Sequence, residues 1–386
     1  MNKIIGIFFT GLLAVSCGGK KVVTQKVQVE NKLNFQRSEV VELLKSDLKI
    51  KDLASIGVKH EKTGELQITQ LVDFDGDGVM DRLLFQPKIE GNSKTVYKLV
   101  KLKEQVKSEL VCYSRFVPER TDDYTWENDK VAFRVYGPNA QMLKETGQKG
   151  GTLSSGVDAW LKRVEYPVIN KWYKETCIDK TGSYHKDTGE GLDNFHVGIS
   201  RGVGGIAVKN NGKFYYSKNY TKWKTITTGP LRTSFYLEYE SWDAGGKTIK
   251  ESKIISLDKG SNLSRFETSI EGSDEISAGL TLHDKDGEVT SGNGWVSYWQ
   301  PIDDSEIGTT ILADKHTFLS SEKYDVKKKD LSNAYAHLKV QNNFVTYYAG
   351  FAWVKSKQYP TKEKWENYLN KFFKRINNPL FVKLVD

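Results

Sequence analysis

Short runs in which β-branched and aromatic side chains alternate with polar ones dominate this chain, and each is closed by Gly, Asn, Asp or Pro. A period of two restricts such runs to strands. Val131–Tyr136 (VAFRVY), Leu231–Tyr239 (LRTSFYLEY), Lys253–Leu257 (KIISL) and Phe344–Ala349 (FVTYYA) are examples. Many short strands with regular turns predict an all-β sandwich, and the length favours an extended, many-stranded one. Helical patterns are confined to Glu39–Leu48, Asp158–Val164 and Lys362–Arg375, so a few short helices are expected. In the last, Thr361 can cap the first turn, and Trp365, Tyr368, Leu369 and Phe372 form one apolar face. No internal repeat is evident. Motif density rises after residue 115, which predicts a β-rich segment over 31–115 and a main sandwich domain over 116–386.

The first sixteen residues read as an export signal. Met-Asn-Lys precedes an apolar run from Ile4 to Val15, followed by Ser16-Cys17-Gly18-Gly19. The run is shorter than the roughly 20 residues a spanning helix needs. Leu13-Ala-Val-Ser-Cys17 resembles a slightly loose lipobox, so cleavage before Cys17 and acylation of that cysteine are expected. Residues 17–30 are polar and basic and read as a flexible tether. Acidic residues that mark surface export are missing after Cys17, which points to an outer-membrane lipoprotein facing the periplasm, with the lipid as its sole membrane element.

Hydrophobic residues at 38% and charged residues at 27% make the chain globular and not disordered. Aromatics reach 12%, which suits both a sheet core and the stacking of sugar C–H faces on rings. Of the formal charge of +8, the export segment removes only Lys3, leaving +7. That excess suits an acidic substrate or surface; no nucleic-acid motif accompanies it. With Cys17 acylated, Cys112 and Cys177 remain, and outside the cytoplasm they have the option of pairing.

The loop Asp73-Phe-Asp75-Gly-Asp77-Gly-Val-Met-Asp81 places carboxylates at positions 1, 3, 5 and 9 of a calcium-loop pattern. Leu84 stands where the bidentate Glu belongs. The loop is therefore either a structural calcium site or a hairpin held by side-chain-to-backbone bonds, and no cofactor is required for chemistry.

Around Trp126 the chain gathers Arg120, Asp122, Asp123, Glu127 and Asp129, then enters a strand that puts Arg134 and Tyr136 on one face. Such carboxylates suit a glycosidase acid/base pair or a salt-bridged loop. Ser155–Arg163 follows, and then Ser183–Gly205, which carries Tyr184, His185, His196, Arg201 and seven glycines counted from Gly182. Histidine exchanges protons near neutrality, and a neighbouring carboxylate can orient it. Arg201 or Lys162 can neutralise a substrate carboxylate. His283, Trp299 and Gln300, in LHD and GWVSYWQP, are candidates for subsite walls or for a tryptophan-filled core strand.

Taken together, the DxDGDGxxD loop, PERxDDxxWENDxxAFRVYGP, SGxDxWLKR, YHKDxGEGLDxxxVGxSRGxGG and GWxSYWQP resemble the domain-of-unknown-function family 4861, over residues 35 to 386. That resemblance implies an exported, carbohydrate-active β-sandwich, with the mutarotase-like super-sandwich as one form. The chain is also similar to the oligosaccharide dehydratases of ulvan-degrading systems, which remove water from a non-reducing-end uronate to leave a 4,5-unsaturated sugar. Under that resemblance His185 or His196 serves as base, Tyr184 as proton donor, and Arg201, Lys162 and Arg134 hold the carboxylate. A glycoside hydrolase or polysaccharide lyase on acidic polysaccharide, or a non-catalytic glycan-binding lipoprotein, are the other readings.

Overall fold

The computed structural model describes residues 25–385, with residue 329 described by its backbone alone. Cys17 and residues 1–24 lie outside the described residues. Among the described residues, strands assemble into five antiparallel sheets of nine, five, five, four and three strands, and no helix is long and apolar enough to cross a membrane. The expected all-β architecture is observed.

The main body is a large sandwich. The nine-stranded sheet runs from Tyr220–Thr227 at one edge, through Arg232–Tyr239, Thr248–Asp258, Leu263–Glu271, Phe344–Trp353, Ser305–Leu312 and Trp295–Ile302, to Glu288–Gly292. Two five-stranded sheets contribute to the same core. One centres on Glu275–Thr281 and the other on Ala132–Val135. A parallel bridge between Val157 and Gly202 joins them. Phe133, Leu161, Ile206, Leu280, Phe235, Phe266 and Phe351 meet in one continuous apolar core drawn from all three sheets. Helix Lys362–Asn377 covers the outer face of the nine-stranded sheet. Thr361 Oγ1 accepts from Lys364 N, and Trp365, Leu369 and Phe372 bury against Trp295, Trp299 and Leu312.

A smaller unit packs the sheet Val41–Leu44, Arg82–Phe85 and Thr69–Val72 against Lys26–Asn31, Ser93–Lys101 and Ile56–His60 over its own core. Its outermost strand is Phe381–Val385, from the far end of the chain. The expected tether 17–30 therefore ends early. From Lys26 the alternation of KVQVEN buries Val27 and Val29 completely.

Two expected helices are strands. Val41–Leu44 buries Val41 and Leu43 and turns Leu44 out, because Arg82–Phe85 offers a complementary edge; a 3-10 turn, Lys45–Asp47, follows. Asp158–Lys162 is buried at every position because its sheet is covered on both faces. Ala159 and Leu161 face the main core. Trp160 faces a second apolar layer with Trp172, Tyr173 and Tyr184. Two-sided burial erases the alternation that would have marked the strand.

Candidate functional site

That second covered face carries the charge. On strands Asp123–Glu127, Ala132–Val135 and Asp158–Lys162, the residues opposite the main core are Asp123, Thr125, Glu127, Arg134, Asp158 and Lys162. The register sets Arg134 directly across from Asp158. Strand Gly191–Leu192 then pairs with Leu161 and Lys162 and delivers Asp193. Gly191 sits at φ +123°, and a Cβ there would lie 1.9 Å from the Leu161 carbonyl oxygen, so only glycine permits this approach.

Arg134 is the hub. Its Nε and Nη2 donate to Asp158 Oδ2 at 2.9 and 2.5 Å, and Nη2 also donates to Asp193 Oδ2 at 2.8 Å. Asp123 Oδ2 lies 3.6 Å from Nη1, and Arg120 Nη1 lies 3.5 Å from Asp123 Oδ1. Tyr136 donates to Asp158 Oδ2, and Tyr173 to Asp123 Oδ2, each at 3.0 Å. Three carboxylates thus share two guanidiniums. Burial, foremost, pushes the Asp158 carboxyl up to about 7, with Asp193 adding to it and Arg134 opposing it. Burial likewise raises Asp123 to about 6, against Arg134 and Arg120, and Asp193 is raised too. Arg120 Nη1, Asp123 Oδ1, Arg134 Nη1, Asp158 Oδ1 and Trp160 Nε1 are buried without a hydrogen-bonding partner in the protein. An unmade bond costs about 1–3 kcal/mol per group, so their concentration here makes this cluster the candidate functional site.

A cleft of about 520 Å³ opens beside the hub. Arg134, Tyr136, Asp193, His185, His196 and Asp330 line it, and both histidines are exposed. His185 Nδ1 stands 2.6 Å from the Asp193 backbone oxygen. A carbonyl only accepts, so Nδ1 carries a proton, and Nε2 is the nitrogen from which a neutral ring would act as base. His196 Nε2 stands 3.2 Å from Asp330 Oδ1. Behind it, His283 Nε2 donates to the His196 carbonyl at 2.8 Å, and Gln300 Nε2 meets His283 Nδ1 at 2.7 Å. Burial lowers the His283 value, which keeps the ring neutral as those two bonds require. His283 and Gln300 are thus supports of the His196 loop rather than subsite walls.

Several other expected site residues lie elsewhere. Lys162 is fully buried and donates to Glu127 Oε2, the Asn128 carbonyl and the Tyr166 carbonyl at 2.8, 2.8 and 2.9 Å. All three of its protons are used, so it holds no substrate. Arg201 is 1% exposed. It bonds Ser155 Oγ and the Ile206 and Ile199 carbonyls and lies over the Tyr216 ring, fastening the loop from inside. Tyr184 packs against Trp160 and Tyr173, edge-on to His185, and does not line the cleft. Trp299 packs under helix Lys362–Asn377 and donates to Glu306 Oε1. Asp158, Asp193 and Asp330 were not singled out as site residues by sequence, whereas Arg120, Asp123 and Tyr136 belong to the charged stretch around Trp126 and are salt-bridged or hydrogen-bonded in the hub.

At the acidic loop, Asp73, Asp75 and Asp81 each bring a carboxylate oxygen within 4.8 Å of the others, and Asp77 stands outside the group. Asp73 accepts from Gly76 N and Gly78 N, Asp75 from Asp77 N, Asp77 from Val79 N and Asp81 from Phe74 N. Cys112, buried, and Cys177 are both free.

The family model described as domain of unknown function (DUF4861) matches residues 29–382. The chain belongs to this family. A family-sized relative, "Uncharacterized protein P7" of Formosa agariphila, is 51% identical over 395 residues and covers the whole of both chains. Among solved structures, a glycosyl hydrolase family 38 protein from Enterococcus faecalis aligns with a TM-score of 0.51 at 11% identity, over 94% of this chain and 47% of that one. An α-mannosidase from Enterococcus faecalis V583 aligns at 0.46 and 10% identity, over 94% and 46%. The chain spans about half the length of these two structures. At such identity the first likeness shows a shared fold, the large β-sandwich.

Proposed function

We propose that the chain is an oligosaccharide dehydratase that removes water by β-elimination from a non-reducing-end uronate of ulvan type. The observation that carries this reading is the orientation of His185: Nδ1 is tied to the Asp193 carbonyl, which turns Nε2 away from that bond in a ring that lines the same cleft as Arg134 and His196. In the reaction His185 Nε2 takes the C5 proton. The released electron pair forms the C4=C5 double bond as the C4–O bond breaks, and the departing hydroxyl takes a proton from His196 to leave as water. Arg134 Nη1, buried and without a hydrogen-bond acceptor, receives the uronate carboxylate as charge develops at C5. The role first given to Tyr184 passes to His196, because Tyr184 lies behind His185.

The fold shared with a glycosyl hydrolase family 38 protein supports a carbohydrate substrate, and the formal charge of +7 left after loss of Lys3 supports an acidic one. As part of the same proposal, lipid on Cys17 holds the protein to the outer membrane on its periplasmic side. The test is incubation with uronate-containing ulvan oligosaccharides followed by mass spectrometry. Loss of one water with a rise in ultraviolet enoate absorbance is expected. Splitting with uptake of water would instead establish a glycoside hydrolase, splitting without it a polysaccharide lyase, and unchanged oligomers a binding protein. His185→Ala and His196→Ala are each expected to abolish turnover, and retention in both sinks the assignment.

A further inference from the structure

A cleft larger than the histidine cleft lies elsewhere among the described residues. A trough of about 650 Å³ lies on the outer face of the nine-stranded sheet, walled by the small N-terminal unit on one side and helix Lys362–Asn377 on the other. A smaller cavity of about 170 Å³ continues it and shares Glu42, Arg232, Ser256 and Arg265.

Its floor is one cross-strand row. Register places Ser234 opposite Ser256, Ser256 opposite Arg265, and Arg265 opposite Tyr348. Ser234 Oγ and Ser256 Oγ stand 2.9 Å apart. The ring of Tyr348 meets Phe372 of the helix edge-on at 5.0 Å, and the Arg375 guanidinium covers Phe372 at 4.6 Å. Hydroxyls, ring faces and guanidiniums therefore line a single open channel.

The charge is one-sided. Five cations, Arg37, Arg232, Lys259, Arg265 and Arg375, line the trough against three carboxylates, Glu39, Glu42 and Asp258. Those carboxylates are held within the wall: Arg232 grips Asp258 through Nε and Nη2 and Glu42 through Nη1, Arg37 holds Glu39, and Arg375 Nη1 lies 3.4 Å from the same Glu39. Arg265 binds Glu267 through Nη2 at 2.7 Å, yet its Nε is buried with no hydrogen-bond partner in the protein. The side chain as a whole is 39% exposed, so the guanidinium opens onto the trough with donors to spare for an anionic oxygen.

From these features we infer that the trough is a second, non-catalytic binding site for an acidic saccharide, with Arg265 and Arg375 meeting its carboxylate or sulfate and the half-buried Tyr348 packing against its ring. The volume suits one or two sugar units. The ligand class is the one proposed for the histidine cleft, but occupation of the trough does not depend on turnover.

The experiment counts bound copies of a uronate-containing ulvan tetrasaccharide on the full protein by native mass spectrometry, with a neutral tetrasaccharide as control. Wild type is expected to carry two copies, and Arg265→Ala one, with the second dissociation constant weakened at least about tenfold, as expected for loss of a charge-assisted contact. Arg375→Gln, at the helix surface, is expected to weaken the same copy and guards against misfolding of the first variant. Both variants should keep wild-type turnover. One copy on wild type, two on Arg265→Ala, or equal binding of the neutral control overturns the inference. A filled trough on a protein that eliminates no water would leave this site standing and remove the dehydratase reading.

Discussion

Asp158→Asn separates the carboxyl cluster's electrostatics from its packing. In the folded protein the Asp158 carboxyl is pushed up to about 7, whereas an unfolded aspartate titrates near about 3.9. The folded state therefore holds its proton more tightly. The stabilisation this gives is complete below about pH 4 and is lost as pH rises towards 7. About three pH units at about 1.4 kcal/mol each make about 4 kcal/mol. Unfolding entropy of about 2.1 cal/mol/K per residue, over about 360 residues, converts this to a fall of about 5 °C in Tm. Asparagine cannot titrate, and it leaves Asp123 and Asp193 facing Arg120 and Arg134, two charges against two. Thermal melts of both proteins from pH 4.5 to 8 should thus converge as pH rises, wild type losing its advantage or falling below the variant by pH 7.5. Melting curves that stay parallel across this range would refute the account of a carboxyl kept protonated by burial.

Three further outcomes are expected. Lys162→Met strands Glu127, whose other partners are the Val168 and Ile169 amides, and should cost about 3–5 kcal/mol in urea denaturation while the remaining folded protein keeps its turnover. Gly191→Ala should lower stability by more than about 1 kcal/mol, given the positive φ and the Leu161 carbonyl, and should cut turnover by displacing Asp193 and His185; a normal melt and normal rate would show that the strand has room. If calcium occupies the Asp73–Asp81 loop, chelator should lower the melting temperature, and an unchanged melt assigns the loop to its side-chain-to-backbone bonds alone.

The sandwich was legible wherever one face of a strand meets solvent. Phe235–Tyr239 and Phe344–Ala349 keep their alternation, and the helix after Thr361 follows its own periodicity. Legibility failed where tertiary context overrode the local pattern. Glu39–Leu48 has leucines at helical spacing, but pairing with Arg82–Phe85 decides its form. At the site, Arg134 with Tyr136 and the Tyr184–Gly205 stretch pointed to the right cleft. The roles of Arg201 and Lys162 did not follow, because sequence shows a positive charge and not the carbonyls that already occupy it. Asp158 and Asp193 lie 24 and 59 residues from Arg134, and only the pairing of their strands makes them a cluster.

The pairing of Lys26 with Val385 sets the order in which the molecule can be completed. Until the final residues have been synthesised and have docked, strand Lys26–Asn31 has one partner, Ser93–Lys101, and presents an open edge on its other side. Closing that edge brings together residues from opposite ends of the described chain, which is a slow, non-local step. A message truncated shortly before codon 381 would yield a protein with its large sandwich and histidine cleft encoded in full and a permanently unpaired strand at its N-terminal unit. Such an edge is a template for association with other chains. Incomplete copies would then be betrayed by the small unit, although that unit holds none of the groups proposed to react.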